Sequence, residues 1–503
     1  MLEVREQAAT SPVDEPRRTN DSAPLFLGVS AEIVLFATAS ASGWYGWFME
    51  LLAVGALGLA IAICVISGGQ RALIVMVLAP LLFQNLLLGL WLMPDYDVGR
   101  ATTLLEAKTT VAVLVALAGI GAARSQLARA LPYFVPASML VAWALISLIW
   151  SEAGSLITAI AYLRNFSTPA LFAALGVTLV QPDTMQQDLD RLVDVAIALG
   201  IGLTIFSTIE LSIGSLVWRN EILHIPLLEL AKGPVSDATD FLGYIVPRLR
   251  SAVGEPVNAS YIFATLAWMA AYRRHWLLAV LFGVQGVLTF GKGGMLVASL
   301  TLCWVLGAKV LRSQRALGAK ALLLASTSFG ILSLYSALSG GPGAPTVIGL
   351  LASPQTYYSG HNSAFAHTGG LVLGFRSMLA NPLGAGLGVG GNFGNIFDAV
   401  DVRTWITTGA ESAVGVVMYQ LGVTGLGLVI ALFAAAFRHT FQLQHDGNRL
   451  GTILAGLTVG FAVASLFQEN AFGPQAGGLF FVLLGATMTV STSTRDGDRR
   501  ATK

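Results

Sequence analysis

Charge is what this chain has least of. Of 503 residues, 11% are Asp, Glu, Lys or Arg, less than half of the roughly 25% usual in soluble domains. With 55% hydrophobic residues and a mean hydropathy of +0.71, this excludes a soluble multidomain enzyme and a disordered chain. Basic stripes of the kind that hold nucleic acid are missing, so no nucleic-acid partner is expected. There are two cysteines, Cys64 and Cys303, both inside apolar runs, which excludes a disulfide framework or a cysteine metal site. No repeat of about 20–50 residues occurs, and the halves lack the similarity that many transporters show.

What is present is a succession of apolar runs, each near the roughly 20 residues that cross a bilayer core. They predict an all-α, polytopic membrane helical bundle of about fourteen spans. These run at 27–41, 45–67, 71–92, 107–123, 131–150, 156–180, 191–214, 257–272, 276–290, 293–311, 319–338, 411–436, 449–468 and 473–491. The runs are uniformly apolar rather than alternating, which argues against a barrel. A single transmembrane domain thus covers 27–491, between polar tails at 1–26 and 492–503 that are expected to be disordered and cytoplasmic.

Basic residues supply the orientation. With both termini inside, nineteen of the 29 basic residues fall in inner tails and loops, nine fall outside, and Arg164 lies in a span. This is the positive-inside pattern. Independent loops agree: Arg273-Arg274 and the stretch from Arg312 to Lys320 demand the same side.

Two outer loops are long, at about 217–256 and 339–410, and long loops in a compact chain usually carry function. The second holds fifteen glycines and an apolar stripe at helical spacing, Leu371, Phe375, Met378 and Leu379. That stripe predicts a helix on the membrane or against the bundle. Polar candidates gather near outer helix ends. Arg248 and Arg250 precede GEPVN, Lys292 sits in TFGKGG, Arg376 lies on the loop helix, Glu411 stands in GAESA, and His361 and His367 lie in the second loop. Arg164, within a span, costs about 2.5–3.5 kcal/mol on insertion scales and is a functional candidate for that reason.

Each has a plainer explanation. An outer arginine can bind lipid head groups, Glu411 can be a helix cap favoured by about 0.3–1 kcal/mol, and Lys292 can snorkel outward. Together, however, cations suit a phosphate or pyrophosphate, and a carboxylate or imidazole suits proton removal from a hydroxyl. The run Gly384, Gly386, Gly388, Gly390, Gly391 lacks the βαβ setting of a dinucleotide site. It predicts tight turns, with backbone N–H groups available to an anion.

At these residues the chain resembles the O-antigen ligase and polysaccharide repeat-unit polymerase superfamily. RSAVGEPVNAS (Arg250, Gly254, Pro256, Asn258) is similar to that family's Arg–Gly–Pro–Asn start of a span. TFGKGG resembles its Ser-Arg-Gly turn, with Lys292 for the arginine and Gly291 for the serine. ANPLGAGLGVGG (Asn381, Pro382, Gly384, Gly386, Gly388) resembles its Asn-Pro-Leu-Gly-x-Gly stretch, and ESAVGVVMYQLGVTGLG the span that follows.

The resemblance implies a GT-C-like glycosyltransferase of the bacterial inner membrane. Its donor would be an undecaprenyl-diphosphate-linked glycan, its site periplasmic, and its mechanism an inverting displacement without metal or cofactor. Arg250, Lys292 and Arg376, with Arg248 and Arg164, would hold the diphosphate. Glu411, His367 or His361 would act as base. Asn258, Asn381, Gly386 and Gly388 would shape the sugar groove. Glu411-Ser412 stands where ligases usually carry a His-Asn pair, which favours a polymerase over a ligase. Flippase and chain-length-regulating proteins would be its partners. Two rival readings are a lipid-linked oligosaccharide flippase, which should carry charges at mid-bilayer depth, and a metal-dependent transferase using the Asp95–Asp97 pair.

Overall fold

The computed structural model describes residues 70–91, 128, 130–151, 156–181, 184–223, 238–241, 244–312, 327, 369–391 and 412–488. Eleven principal helices lie there. In chain order they are α1 (Gln70–Trp91), α2 (Leu131–Ile146), α3 (Leu156–Leu179), α4 (Met185–Ile213), α5 (Pro256–Tyr272), α6 (Trp276–Leu288), α7 (Lys292–Arg312), α8 (Gly370–Ala380), α9 (Ala413–His445), α10 (Arg449–Ser465) and α11 (Pro474–Met488). A 3-10 turn, Ser147–Trp150, prolongs α2. Among the described residues the one sheet is an antiparallel hairpin, β1 (Ala238–Phe241) with β2 (Tyr244–Pro247), so the long loop before α5 is not purely coil.

Among the described residues, four helices are long and apolar enough to cross a membrane: Leu131–Trp150, Met185–Ile213, Lys292–Val310 and Ala413–His445. They mark the chain as a membrane protein. The expected span bounds coincide closely with α1, α2, α3, α5, α6, α7, α10 and α11. Two bounds move. α4 begins six residues before the expected 191, and α9 continues past the expected 436 to His445. Both extensions carry polar side chains that find local partners. Asp190 of the α4 extension and Asp194 just beyond it meet Arg273, with N–O distances of 3.1 and 2.7 Å, and Gln444 of the α9 extension accepts from Trp304 Nε1 at 2.9 Å. Partial burial works against the Arg273 charge, but hydrogen bonding to Asp194 and the two carboxylate charges outweigh it and raise its pKa. The expected spans at 27–41, 45–67, 107–123 and 319–338 lie outside the described residues, apart from the single helical position 327.

Glycine sets how closely the helices approach. A Cβ at Gly485 of α11 would strike the Ala173 backbone of α3, and one at Gly176 would strike Val482. Small residues at such crossings let backbones come together where apolar lipid offers no drive for association. α11 is buried along its whole length, as a helix that is apolar all round must be. Phe480 of α11 stacks on Phe461 of α10 with centroids 4.4 Å apart.

Candidate functional site

One end of the bundle collects the polar side chains. There the chain leaves α4, returns into α5, turns from α6 to α7, and turns again from α10 to α11. Arg248 and Arg250 lie on the segment entering α5. This segment pairs with the end of α6, Leu249 N–H donating to the Leu288 carbonyl at 3.1 Å. Arg248 Nε donates to the Thr289 carbonyl at 3.0 Å and Nη2 reaches the Phe290 carbonyl at 3.5 Å. Arg248 therefore braces the very turn that presents Lys292. That turn is tight enough to hold Phe290 at φ +49°, uncommon for a bulky residue.

Lys292 is the first residue of α7 and is half-buried. The glycines around it serve helix packing. A Cβ at Gly291 or Gly294 would collide with Ser260 of α5, and one at Gly293 with Tyr261. Gly294 N–H also donates to Ser260 Oγ at 3.2 Å. The space beside the glycines that flank Lys292 is filled by α5.

Arg250 is buried, 1% exposed, and beside it lies a residue that the sequence reading passes over. Glu210, one turn from the end of α4, is equally buried. Its carboxylate accepts from the backbone N–H of Arg250 at 2.9 Å and of Ser251 at 2.7 Å, and from Ser215 Oγ at 3.1 Å. It also feels the Arg250 charge. Ser251 sits at φ +55°, held by donation of its hydroxyl to Leu203 and by acceptance from Trp218 Nε1. Gly254, at φ +79°, presses on Asn85 of α1, whose amide donates to the Val253 carbonyl. A carboxylate in the apolar part of a helix is a functional signal by its cost alone, and TIELSIG carries that signal.

A second group missed in sequence centres on Glu255. Its carboxylate accepts from Asn258 Nδ2 at 2.5 Å and from Asn470 Nδ2 at 2.8 Å. Asn258 also donates to Gln475 Oε1 at 3.0 Å. Asn470 and Gln475 come from FQENAFGPQ, the α10–α11 turn, where Glu469 is buried as well. Glu255 itself keeps partial exposure. The end of the bundle thus holds three carboxylates, Glu210, Glu255 and Glu469, beside the expected cations.

The glycine run forms a separate structure. Gly384, Gly386, Gly388, Gly390 and Gly391 all have φ between +77° and +98°, which only glycine adopts at no steric cost. The amides of Gly384 through Val389 bond within the protein instead of standing open to an anion. Ala385 and Gly386 N–H donate to the Tyr419 and Gln420 carbonyls, both at 2.9 Å. Leu387 N–H donates to Ser147 Oγ at 3.1 Å, and Gly388 N–H to Gln420 Oε1 at 3.3 Å. Gly386 and Gly388 are buried against Ser151 and Ala159, so they support the loop's path. Asn381 is exposed, and its amide turns back to the Gly384 carbonyl at 3.0 Å.

The remaining candidates divide simply. Arg376 is exposed on α8. Arg164 is half-buried in α3, its Nη2 at 3.5 Å from Asn165 Oδ1. Glu411, His361, His367, Asp95 and Asp97 lie outside the described residues. The cap of α9 is Ser412, whose hydroxyl accepts from Gly415 N–H at 2.9 Å. Compared with protein-family models and with curated proteins, the chain gives no match.

Proposed function

We propose that this protein is a glycosyltransferase of the bacterial inner membrane that polymerises undecaprenyl-diphosphate-linked repeat units into a surface polysaccharide. In this reading the bundle has about fourteen spans, both termini are cytoplasmic, and the end described above faces the periplasm in a GT-C-like arrangement. The observation that carries the reading is the grouping of Arg248, Arg250, the Lys292 turn and the Glu255 cluster around the start of α5. Of these, Arg250, Asn258 of the Glu255 cluster and the Lys292 turn are residues on which the family resemblance rests.

The chemistry follows from charge. The acceptor hydroxyl oxygen attacks the anomeric carbon of the donor, the bond from that carbon to the diphosphate oxygen breaks, and undecaprenyl diphosphate leaves. Arg250 and Lys292 stabilise the charge that grows on the leaving group, with Arg164 and Arg376 as further cations of the same reading. Arg248 holds the turn. Loss of one preorganised donor of this kind costs about 10²–10³-fold in rate. The hydroxyl proton passes to a carboxylate or imidazole, a contribution of roughly 10²–10⁴-fold. Glu255, held by two amides, joins Glu411, His361 and His367 as candidates for that role.

The test is a reconstituted assay with a lipid-linked repeat unit. A ladder of lipid-bound products supports polymerisation, and a single transfer to another acceptor supports the ligase alternative. Transbilayer movement of the lipid without any new glycosidic bond would support the flippase. Ladder formation that persists in EDTA separates this reading from the metal-dependent one. Arg250→Ala and Glu255→Gln proteins that are folded and still make a full ladder would overturn the assignment.

A further inference from the structure

The segment 369–391 is read from sequence as part of an outer loop, yet its contacts run along a membrane-spanning helix. Gly370 and Gly374 of α8 lie against Gly415 near the start of α9, whereas Pro382 and Gly384 lie against Gly422 and Gln420. The chain then returns, and Gly391 lies against Val416 and Tyr162. It therefore descends beside α9 and comes back over about two helical turns, roughly 10 Å. We infer that 370–391 is a re-entrant hairpin whose tip is immersed in the lipid of one leaflet.

Two independent observations carry this. First, non-helical backbone survives at membrane depth only where its polar groups are bonded within the protein. Around the tip, the N–H groups of Asn381, Gly384, Ala385, Gly386, Leu387, Gly388 and Val389 have protein acceptors, with Leu383 the exception between 381 and 389. The exposed Asn381 side chain is turned back to the Gly384 carbonyl. A loop in water needs no such extensive pairing.

Second, the outward side is apolar. Phe375, Leu379 and Leu383 are 45%, 64% and 56% exposed. Val423 and Ile430 of α9, 52% and 60% exposed, extend the same kind of surface along a helix apolar enough to span. The occupant is therefore the acyl chains that surround α9. The tip is secured from the protein side by Trp143 and Trp150, whose indoles donate to the Leu421 and Gly384 carbonyls. Arg376, also exposed, is long enough to snorkel back to the head groups.

The test uses the full chain with Cys64 and Cys303 changed to serine, carrying Leu379→Cys or Leu383→Cys labelled with bimane. It is reconstituted in phosphatidylethanolamine–phosphatidylglycerol vesicles with or without brominated acyl chains. Ile430→Cys serves as the lipid-facing reference and Asp446→Cys as the aqueous one. The expected result is loss of bimane fluorescence at both loop positions comparable to that at Ile430, with no reaction with a membrane-impermeant maleimide. Rapid maleimide labelling overturns the inference. So does absent quenching in a variant that melts with its parent. Phe375→Cys replaces either variant if it fails to fold.

Discussion

The amide of Val423 donates to the carbonyl of Pro382 at 2.9 Å, across a break in the helix that carries Val423. Inside α9, Gly422 takes φ +64° and ψ −153°, and the helical bond pattern lapses there. The carbonyls of Tyr419, Gln420 and Leu421 would otherwise be left without partners in the protein interior. They are met instead by Ala385, Gly386 and the Trp143 indole. The break in α9 and the glycine loop are complementary halves of one arrangement.

Gly422→Ala should therefore be costly. Non-glycine residues pay about 1–3 kcal/mol in such backbone regions, and the added Cβ would meet the Pro382 carbonyl. A clear fall in the melting temperature of the purified protein is expected. Gly427→Ala, on the same helix with open space around it, should change it little.

Glu210→Gln should destabilise the segment that carries Arg250. The neutral amide weakens what the Arg250 and Ser251 N–H groups donate to, and a buried polar group left poorly met costs about 1–3 kcal/mol. Thermal unfolding and proteolysis between α4 and α5 would report it. A melting temperature equal to the parent's would show that the Glu210 charge is dispensable.

Gly294→Val should push α7 from α5. The side chain would enter the Ser260 backbone, and overpacking of this kind costs about 1–3 kcal/mol. The displacement should also move Lys292, two residues away, so transfer activity should fall further than stability predicts. Ladder formation and thermal unfolding on one preparation compare the two.

Asn258→Ala removes one of the two amides on Glu255 and the partner of Gln475. Leaving a buried polar group unmet costs about 1–3 kcal/mol. If Glu255 takes the proton, kcat should drop while substrate KM changes little. Asn258→Asp, which sets two carboxylates side by side, should be worse than alanine.

Much of the helical frame is legible in sequence. Leu131, Leu156 and Arg449 begin helices where the apolar runs begin, because a backbone in lipid has few alternatives to helix. Proline at the first turn of α5 marks its start at Pro256. The candidate site was legible in part. Arg248, Arg250 and Lys292 stand out as rare outer cations, and the fold gathers the first two with the Lys292 turn. Glu210 carries a signal as a carboxylate in an apolar run, but its partners, like those of Asn470, lie far along the chain. The Gly422 break is equally hidden. Gly425 and Gly427, three and five residues on, stay helical, and only the docking of Pro382 distinguishes them. For the same reason GAGLGVGG reads as an open, polar turn, although Ser147 and Gln420 consume its amides.

The enclosed position of α11 bears on assembly. It follows every other described helix in the chain, yet it fills the space that α3, α5 and α10 surround. During synthesis those helices must stand in the membrane around a centre that is still missing. Lipid or the insertion machinery has to occupy that place until Pro474–Met488 emerges. Completion of this bundle is therefore an act of displacement, in which the final helix expels whatever held its seat.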